Sequence, residues 1–190
     1  MSDWTIRRAG LADADPLTAC LEVAYAEDAA RLADLPSMSD GVAGQIANDQ
    51  VWVAEADGTV VGGLVLATGD GFMQLVNVAV HPDRRGTGLG RALLQLADRE
   101  AVAQGFAEMR LNTHAGMDAN VGLYTRLGWI ETDRQRNVVA MRKPLTDAAP
   151  DQTGASRSRP GPREARLAAA LRANLRRRKA ATTKRGDSDG

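Results

Sequence analysis

Apolar residues recur along the chain with two periods, and the switches between them mark its elements. Residues 51–55 (VWVAE) and 60–67 (VVGGLVLA) are rich in β-branched and apolar side chains and flank Asp57-Gly58, a dipeptide that tolerates positive φ, so they predict a β-hairpin. Residues 72–80 (FMQLVNVAV) are apolar except at Gln74 and Asn77, which predicts a central strand covered on both faces. From about Gly88 to Gln104 the period lengthens. Leu89, Leu93, Leu96, Ala97 and Ala101 then fall on one face of a helix, and Gly105 stands where a left-handed C-cap would end it. Residues 107–114 (AEMRLNTH) follow as a strand, parallel to 72–80 because a right-handed helical crossover joins the two.

The remaining segments complete the pattern. WTIRRA predicts a first strand, followed by a helix from about Asp13 to Asp28 with Pro16 tolerated near its start, and by a second helix from about Ser39 to Asn48. MDANVGLYTRLG predicts a further helix, capped by Asp118 and closed by Gly128. WIETD and NVVAMRKPL then form a second hairpin. The expected fold class is α/β: a mixed, mostly antiparallel sheet with a central parallel strand pair, flanked by helices.

Composition modifies this picture at one end of the chain. At 190 residues, 44% hydrophobic and 25% charged, the sequence suits one domain with residues to spare. The formal net charge of zero conceals a split: residues 146–190 hold 11 Lys and Arg against 5 Asp and Glu, and residues 1–145 hold 13 against 19. Residues 146–163 are rich in Pro, Gly, Ser and Arg and too poor in apolar residues to offset the cost of ordering, which predicts a flexible linker. Residues 164–190 restore helix formers. Leu167, Leu171 and Leu175 make one stripe of a basic amphipathic helix with a disordered end, a C-terminal helical tail to the 1–145 domain. The lone Cys20 excludes an internal disulfide, the first residues carry no apolar leader, and no window reaches the roughly 18 apolar residues of a membrane span. A soluble, cytoplasmic protein with no membrane partner is expected.

The chemistry concentrates in HPDRRGTGLGRALL, residues 81–94. Gly86, Gly88 and Gly90 stand between an apolar strand and a helix, where the helix N-terminus presents unpaired N–H groups and a partial positive charge. Without Cβ atoms the loop can converge several N–H groups on one oxygen cluster, and Arg84, Arg85 or Arg91 can add charge, so a diphosphate fits. The spacing excludes the P-loop, which needs Gly-Lys-Ser/Thr, and the dinucleotide pattern G-x-G-x-x-G, because Arg91 and Leu93 occupy its third glycine position. A tight turn with close helix packing would use the same glycines. Later in the chain Asn120 and Tyr124, four apart on the MDANVGLYTRLG helix, project on one face; Leu123, Tyr124 and Leu127 also form a stripe that suits the core.

VNVAVHPDRRGTGLGRALL and NVGLYTRLGWIET, with the order of elements between and around them, resemble the GNAT superfamily of N-acetyltransferases over about residues 3–145. The resemblance implies an enzyme, an acyltransferase that takes acetyl-CoA as cosubstrate, uses no metal, and moves the acetyl group directly to a primary amine of a small molecule or of a protein or peptide. It places the pantetheine arm along the backbone of Val78, Ala79 and Val80, with a bulge in that strand aiming one N–H at the thioester oxygen, where negative charge develops during attack. It places the pyrophosphate on Arg85, Gly86, Thr87, Gly88, Leu89, Gly90 and Arg91. Tyr124 takes the role of the acid that protonates the departing thiolate.

Two positions depart from the family. Met117 stands where many relatives have an asparagine seven residues before the tyrosine, and Asn120 can substitute from the next turn as a cofactor contact. Asn112 stands where some relatives carry a glutamate base, so His114 becomes the candidate base by residue type. The acceptor groove of relatives would bring Glu27, Asp28, Asp34 and Asp40 near a cationic amine, or leave them as a solvated face. Amino acids, polyamines, drugs, protein N-termini and aminoacyl groups all remain open as acceptors. The basic tail supports an alternative from another class, an acetyl-CoA-binding module held on nucleic acid by weak, salt-sensitive phosphate contacts without base stacking. Its leucine stripe could instead dock on the acidic body of its own or a second copy, giving a homodimer.

Overall fold

The computed structural model describes residues 3–145, so the expected linker over 146–163 and the basic helix over 164–190 lie outside the described residues. Its elements run β1 (Thr5–Arg8), α1 (Ala14–Arg31), α2 (Val42–Asn48), β2 (Gln50–Ala56), β3 (Thr59–Thr68), β4 (Met73–Val80), α3 (Leu89–Ala103), β5 (Glu108–His114), α4 (Asp118–Arg126), β6 (Ile130–Gln135) and β7 (Val138–Pro144). The strands form one seven-stranded sheet in the order β1-β2-β3-β4-β5-β7-β6, antiparallel throughout except at β4–β5. This is the expected α/β class, with the parallel pair at the centre.

Each face of the sheet carries its own core. α1 and α2 cover one face through Leu17, Leu21, Ala24 and Val42 against Val51, Val53 and Val65. α3 and α4 cover the other through Leu89, Leu93, Ala97 and Tyr124 against Trp52, Leu64, Leu66 and Met109. Burial of each such Leu contributes roughly 1.5–3 kcal/mol. Glycine makes the first contact possible: a Cβ on Gly63 would lie 2.5 Å from Leu17 Cδ1, so α1 approaches β3 this closely only over a bare backbone.

Several boundaries differ from the sequence expectation for local reasons. α2 begins at Val42 rather than near Ser39 because Gly41 adopts φ +76, outside the right-handed helix. α1 continues past Asp28 to Arg31, whose guanidinium bonds Asp28 at 2.8 Å and the Gly116 carbonyl at 2.9 Å, so a distant loop stabilises the last turn. Asp118 does not cap α4; Met117 is the N-cap residue, and its carbonyl accepts from Asn120 and Val121. Gly105 and Gly128 do end their helices in the left-handed region, at φ +80 and +87. β6 is exposed along its whole length and carries Glu131, Asp133 and Arg134, charges that guard an open sheet edge.

The centre of the sheet is deformed in two ways that make the site. Val65 pairs with Asn77 and Leu66 with Leu75, so Val76 is an extra residue in β4, a bulge. One extra residue inverts the alternation. Met73 and Leu75 face the α3 core, Val76 leans on the α1 core, and beyond the bulge Val78 and Val80 face α3 while Ala79 joins the α1 side. At the same place β4 parts from β5. The two strands pair only from Met73↔Met109 to Leu75↔Leu111, while β4 continues on β3 to Val80 and β5 continues on β7 to His114. A wedge therefore opens in the middle of the sheet.

Candidate active site

The glycine loop lies at the outer end of β4. A 3-10 turn over Pro82–Arg84 carries the chain to Gly86 and Gly88, which adopt φ +78 and +87, and Gly88 is the N-cap of α3. The first bond of the helix runs from the Ala92 N–H to the Gly88 carbonyl, and the N–H groups of residues 86–91 find no backbone acceptor among the described residues. Unpaired N–H groups at a helix N-terminus are the kind of donor run that can hold an anion. It opens on a cavity of about 510 Å³ between α1, the end of β4, the loop and α4.

The sequence-predicted residues divide around that cavity. Val78, Ala79, Val80, Arg85, Gly86, Gly90, Asn120 and Tyr124 line it. Gly88 shapes the turn, and Thr87 closes it by donating to the Arg84 carbonyl at 2.7 Å. Leu89 offers only its backbone, because its side chain is fully buried in the core. Arg91 is exposed and does not line the cavity. Arg85 donates to the Ala24 carbonyl at 3.0 Å and lies 3.9 Å from Glu27, so α1 holds it at the rim. Arg84 also lines the cavity, anchored to Asp3 and Asp57.

Tyr124 is fixed by the end of its own helix. The Trp129 N–H donates to the Tyr124 carbonyl at 3.0 Å and the Gly128 N–H to Thr125 at 3.1 Å, the paired bonds of a glycine-closed helix end. The same turn sets the Trp129 ring edge-on to the Tyr124 ring, 5.9 Å between centroids at 63°. Tyr124 is 8% exposed, and its hydroxyl makes no hydrogen bond among the described residues. Burial pushes this phenol up to about 12, so it stays protonated at neutral pH.

A second cavity of about 390 Å³ lies deeper in the wedge, between β4 and β5. Tyr25, Val78, Met117, Asn120 and Tyr124 line both cavities, so the two share one wall. His114 belongs to the second cavity and not the first. Its Nδ1 accepts the Gly116 N–H at 3.0 Å, which places the ring proton on Nε2, where it donates to Asp34 Oδ1 at 3.0 Å. Both ring nitrogens are thus engaged. Of the four acidic residues expected near an acceptor, Glu27 and Asp28 line the first cavity, Asp34 lines the second, and Asp40 lines neither.

Tyr25 and Asn77 are the members that sequence reasoning missed. The bulge turns Asn77 towards α1, where it is 5% exposed and its Oδ1 accepts from the Tyr25 hydroxyl at 2.8 Å; that hydroxyl also lies 3.2 Å from the Val78 carbonyl. Asn77 Nδ2 donates to the Met38 carbonyl at 3.2 Å, tying the chain between α1 and α2 to β4. Burial, with Tyr124 and Asp28 nearby, pushes the Tyr25 phenol above its usual range. The available signal was an asparagine interrupting an apolar strand, which calls for a buried partner.

The chain is similar to known proteins in sequence and in fold. An acetyltransferase of Yersinia pestis (strain Pestoides F) is 33% identical over 82 residues, 43% of this chain, and the chain spans 57% of the length of that curated relative. The ribosomal-protein-S18-alanine N-acetyltransferase of Escherichia coli has the same fold, with a TM-score of 0.67 at 22% identity over 80% of this chain and 99% of that one. yncA of Salmonella typhimurium, solved with its cofactor acetyl-CoA, aligns with a TM-score of 0.60 at 25% identity over 80% of this chain and 100% of that one. The acetyltransferase (GNAT) family model matches residues 19–129, which include the glycine loop, the bulged strand and Tyr124, and the chain belongs to that family.

Proposed function

We propose that the protein is an acetyl-CoA-dependent N-acetyltransferase that moves the acetyl group directly to a primary amine. The carrying observation is the shared wall: the cavity headed by the free N–H groups of residues 86–91 meets the second cavity at Tyr124 and Asn120. The residues fit the cosubstrate, since the loop presents unpaired donors to a diphosphate while apolar Val78, Val80 and Leu94 accompany the arm towards the wedge. The yncA structure, with its acetyl-CoA, supports the same reading.

Acetyl-CoA supplies a thioester with a thiol leaving group. The chain's own groups do the rest. The β4 bulge and the wedge beyond Leu75 free backbone groups of Val76 to Val78 from the β4–β5 ladder, where one N–H can stabilise the charge that develops on the acetyl oxygen. Asn120 faces the same junction and serves as the polar contact in place of the family asparagine missing at Met117. Tyr124 holds a proton for the sulfur as the C–S bond breaks and the N–C bond forms, and the proton lost by nitrogen restores the balance. His114 would act as a base only by taking a proton at Nδ1 in exchange for the Gly116 N–H that this nitrogen now accepts.

Gly90→Asp tests the cosubstrate assignment. Gly90 lines the cavity with ordinary helical φ, and a Cβ there would meet Val80 Cγ2 at 3.5 Å, a normal contact. Gly88 is a poorer choice because its φ of +87 would add backbone strain. The folded variant should lose acetyl-CoA affinity by about 100-fold or more in calorimetry. Unchanged affinity would remove the diphosphate from the loop.

A further inference from the structure

We propose that the acceptor is a compact primary amine with an apolar body and no carboxylate, bound in the cavity between β4 and β5. The inference rests on the assignment of the neighbouring cavity to acetyl-CoA.

Three observations carry it. The first is the charge of the lining. Among the described residues Asp34 is the one acidic side chain on the wall and no lysine or arginine lines it, so a substrate carboxylate would meet an anion with no described cation to offset its loss of water. Asp34 is itself already occupied, accepting from His114 on one oxygen and from Asn137 on the other. The second is the apolar body of the site. Leu35, Pro36 and Met38 on one side and Leu75, Val76 and Leu111 on the other flank a half-open cavity of about 390 Å³, in the range of small-molecule sites. A chain of several ammonium groups would lose hydration there with one carboxylate to compensate.

The third is the strap. The segment between α1 and α2 crosses the wedge and is tied on both banks, at Met38 to Asn77 of β4 and at Asp34 to His114 of β5 and Asn137 of the β6–β7 turn. Arg31 bonded to the Gly116 carbonyl secures its near end. A strap so tied forms one fixed wall of the half-open cavity, against which a compact ligand packs. The amine nitrogen then lies towards Tyr124 and Asn120, and the apolar body towards the strap.

The test compares three amines with the full chain. 2-Phenylethylamine and L-phenylalanine share one apolar body and differ in the carboxylate, and spermidine represents the polycations. Calorimetry first measures acetyl-CoA binding; thiol release then gives kcat/KM for each amine. The expected result is acetyl-CoA binding with 2-phenylethylamine preferred over both others by at least about 100-fold. Leu35→Arg, which places a cation in the half-buried strap, should leave acetyl-CoA affinity unchanged and raise KM for 2-phenylethylamine at least about 10-fold. If acetyl-CoA binds but phenylalanine or spermidine is the better acceptor, or if none of the three is turned over, the acceptor inference is overturned and the cosubstrate reading stands. Failure to bind acetyl-CoA would overturn both.

Discussion

Replacement of Tyr124 by phenylalanine separates chemistry from packing more cleanly than any other single change. The ring is 8% exposed and rests edge-on against Trp129 at 5.9 Å, and both features survive the substitution. The hydroxyl has no hydrogen-bond partner among the described residues, so its removal leaves no orphaned donor or acceptor behind, and stability should change by no more than about 0.5 kcal/mol. Truncation to alanine would cost roughly 3–5 kcal/mol, because it empties part of the α4 core. The catalytic effect should be far larger than the conservative variant's structural one. Loss of a positioned acid lowers turnover by about 10²–10⁴, or roughly 2.7–5.5 kcal/mol of barrier. Because burial pushes the phenol up to about 12, the alkaline limb of the wild-type profile should show no fall at the pH near 10 where an ordinary tyrosine ionises. The assay is thiol release at saturating acetyl-CoA between pH 7 and pH 11, beside a thermal melt. Turnover within about twofold of wild type in a variant of unchanged melting temperature would refute the assignment of Tyr124 as the acid.

Other outcomes follow from neighbouring contacts. Tyr25→Phe deprives the buried Asn77 of its donor and should cost about 1–3 kcal/mol in urea unfolding, with a rise in protease sensitivity of the segment between α1 and α2 that Asn77 holds. Asp13 is held down to about 2 from an ordinary 3.8 by its side-chain bonds to Arg7 and by the Gly10 N–H. A depressed carboxyl contributes stability that is complete above its ordinary value and lost as pH falls towards the folded one. Asp13→Asn should therefore flatten the acid limb of the stability curve between about pH 4 and 2 and cost about 1 kcal/mol at neutral pH, since the half-exposed Arg7 is screened by solvent. We also propose that residues 1–145 fold independently: Leu145, 9% exposed and bonded to the Ala107 carbonyl at 2.9 Å, closes the described fold, and a chain ending there should keep its melting temperature and its thiol release. A fall of more than a few degrees would place the tail on the domain.

Short-range physics made much of this protein legible in its sequence. The Asp57-Gly58 turn, the apolar β4, the α3 stripe and the glycines that end α3 and α4 are local signals, and each element stands within a few residues of its expected place. The proposed anion site was legible for the same reason: a glycine loop before a helix presents donors whatever the rest of the chain does. Tertiary structure decided what the loop faces. The family resemblance implied a bulge in this strand, but residues 72–80 by themselves do not announce that Val76 is the extra residue, because a bulge is a mismatch between two strands and belongs to neither alone. That mismatch turns Asn77 to Tyr25, starts the wedge between β4 and β5, and lets Tyr124 of α4 reach the wall common to both cavities. His114 and Asp34, 80 residues apart, likewise become partners only when the strap crosses the wedge. Residue type gave each of these side chains its chemistry, and the pairing of distant strands gave each its neighbour, since contact energy across the sheet depends on register, and register is fixed by the whole core.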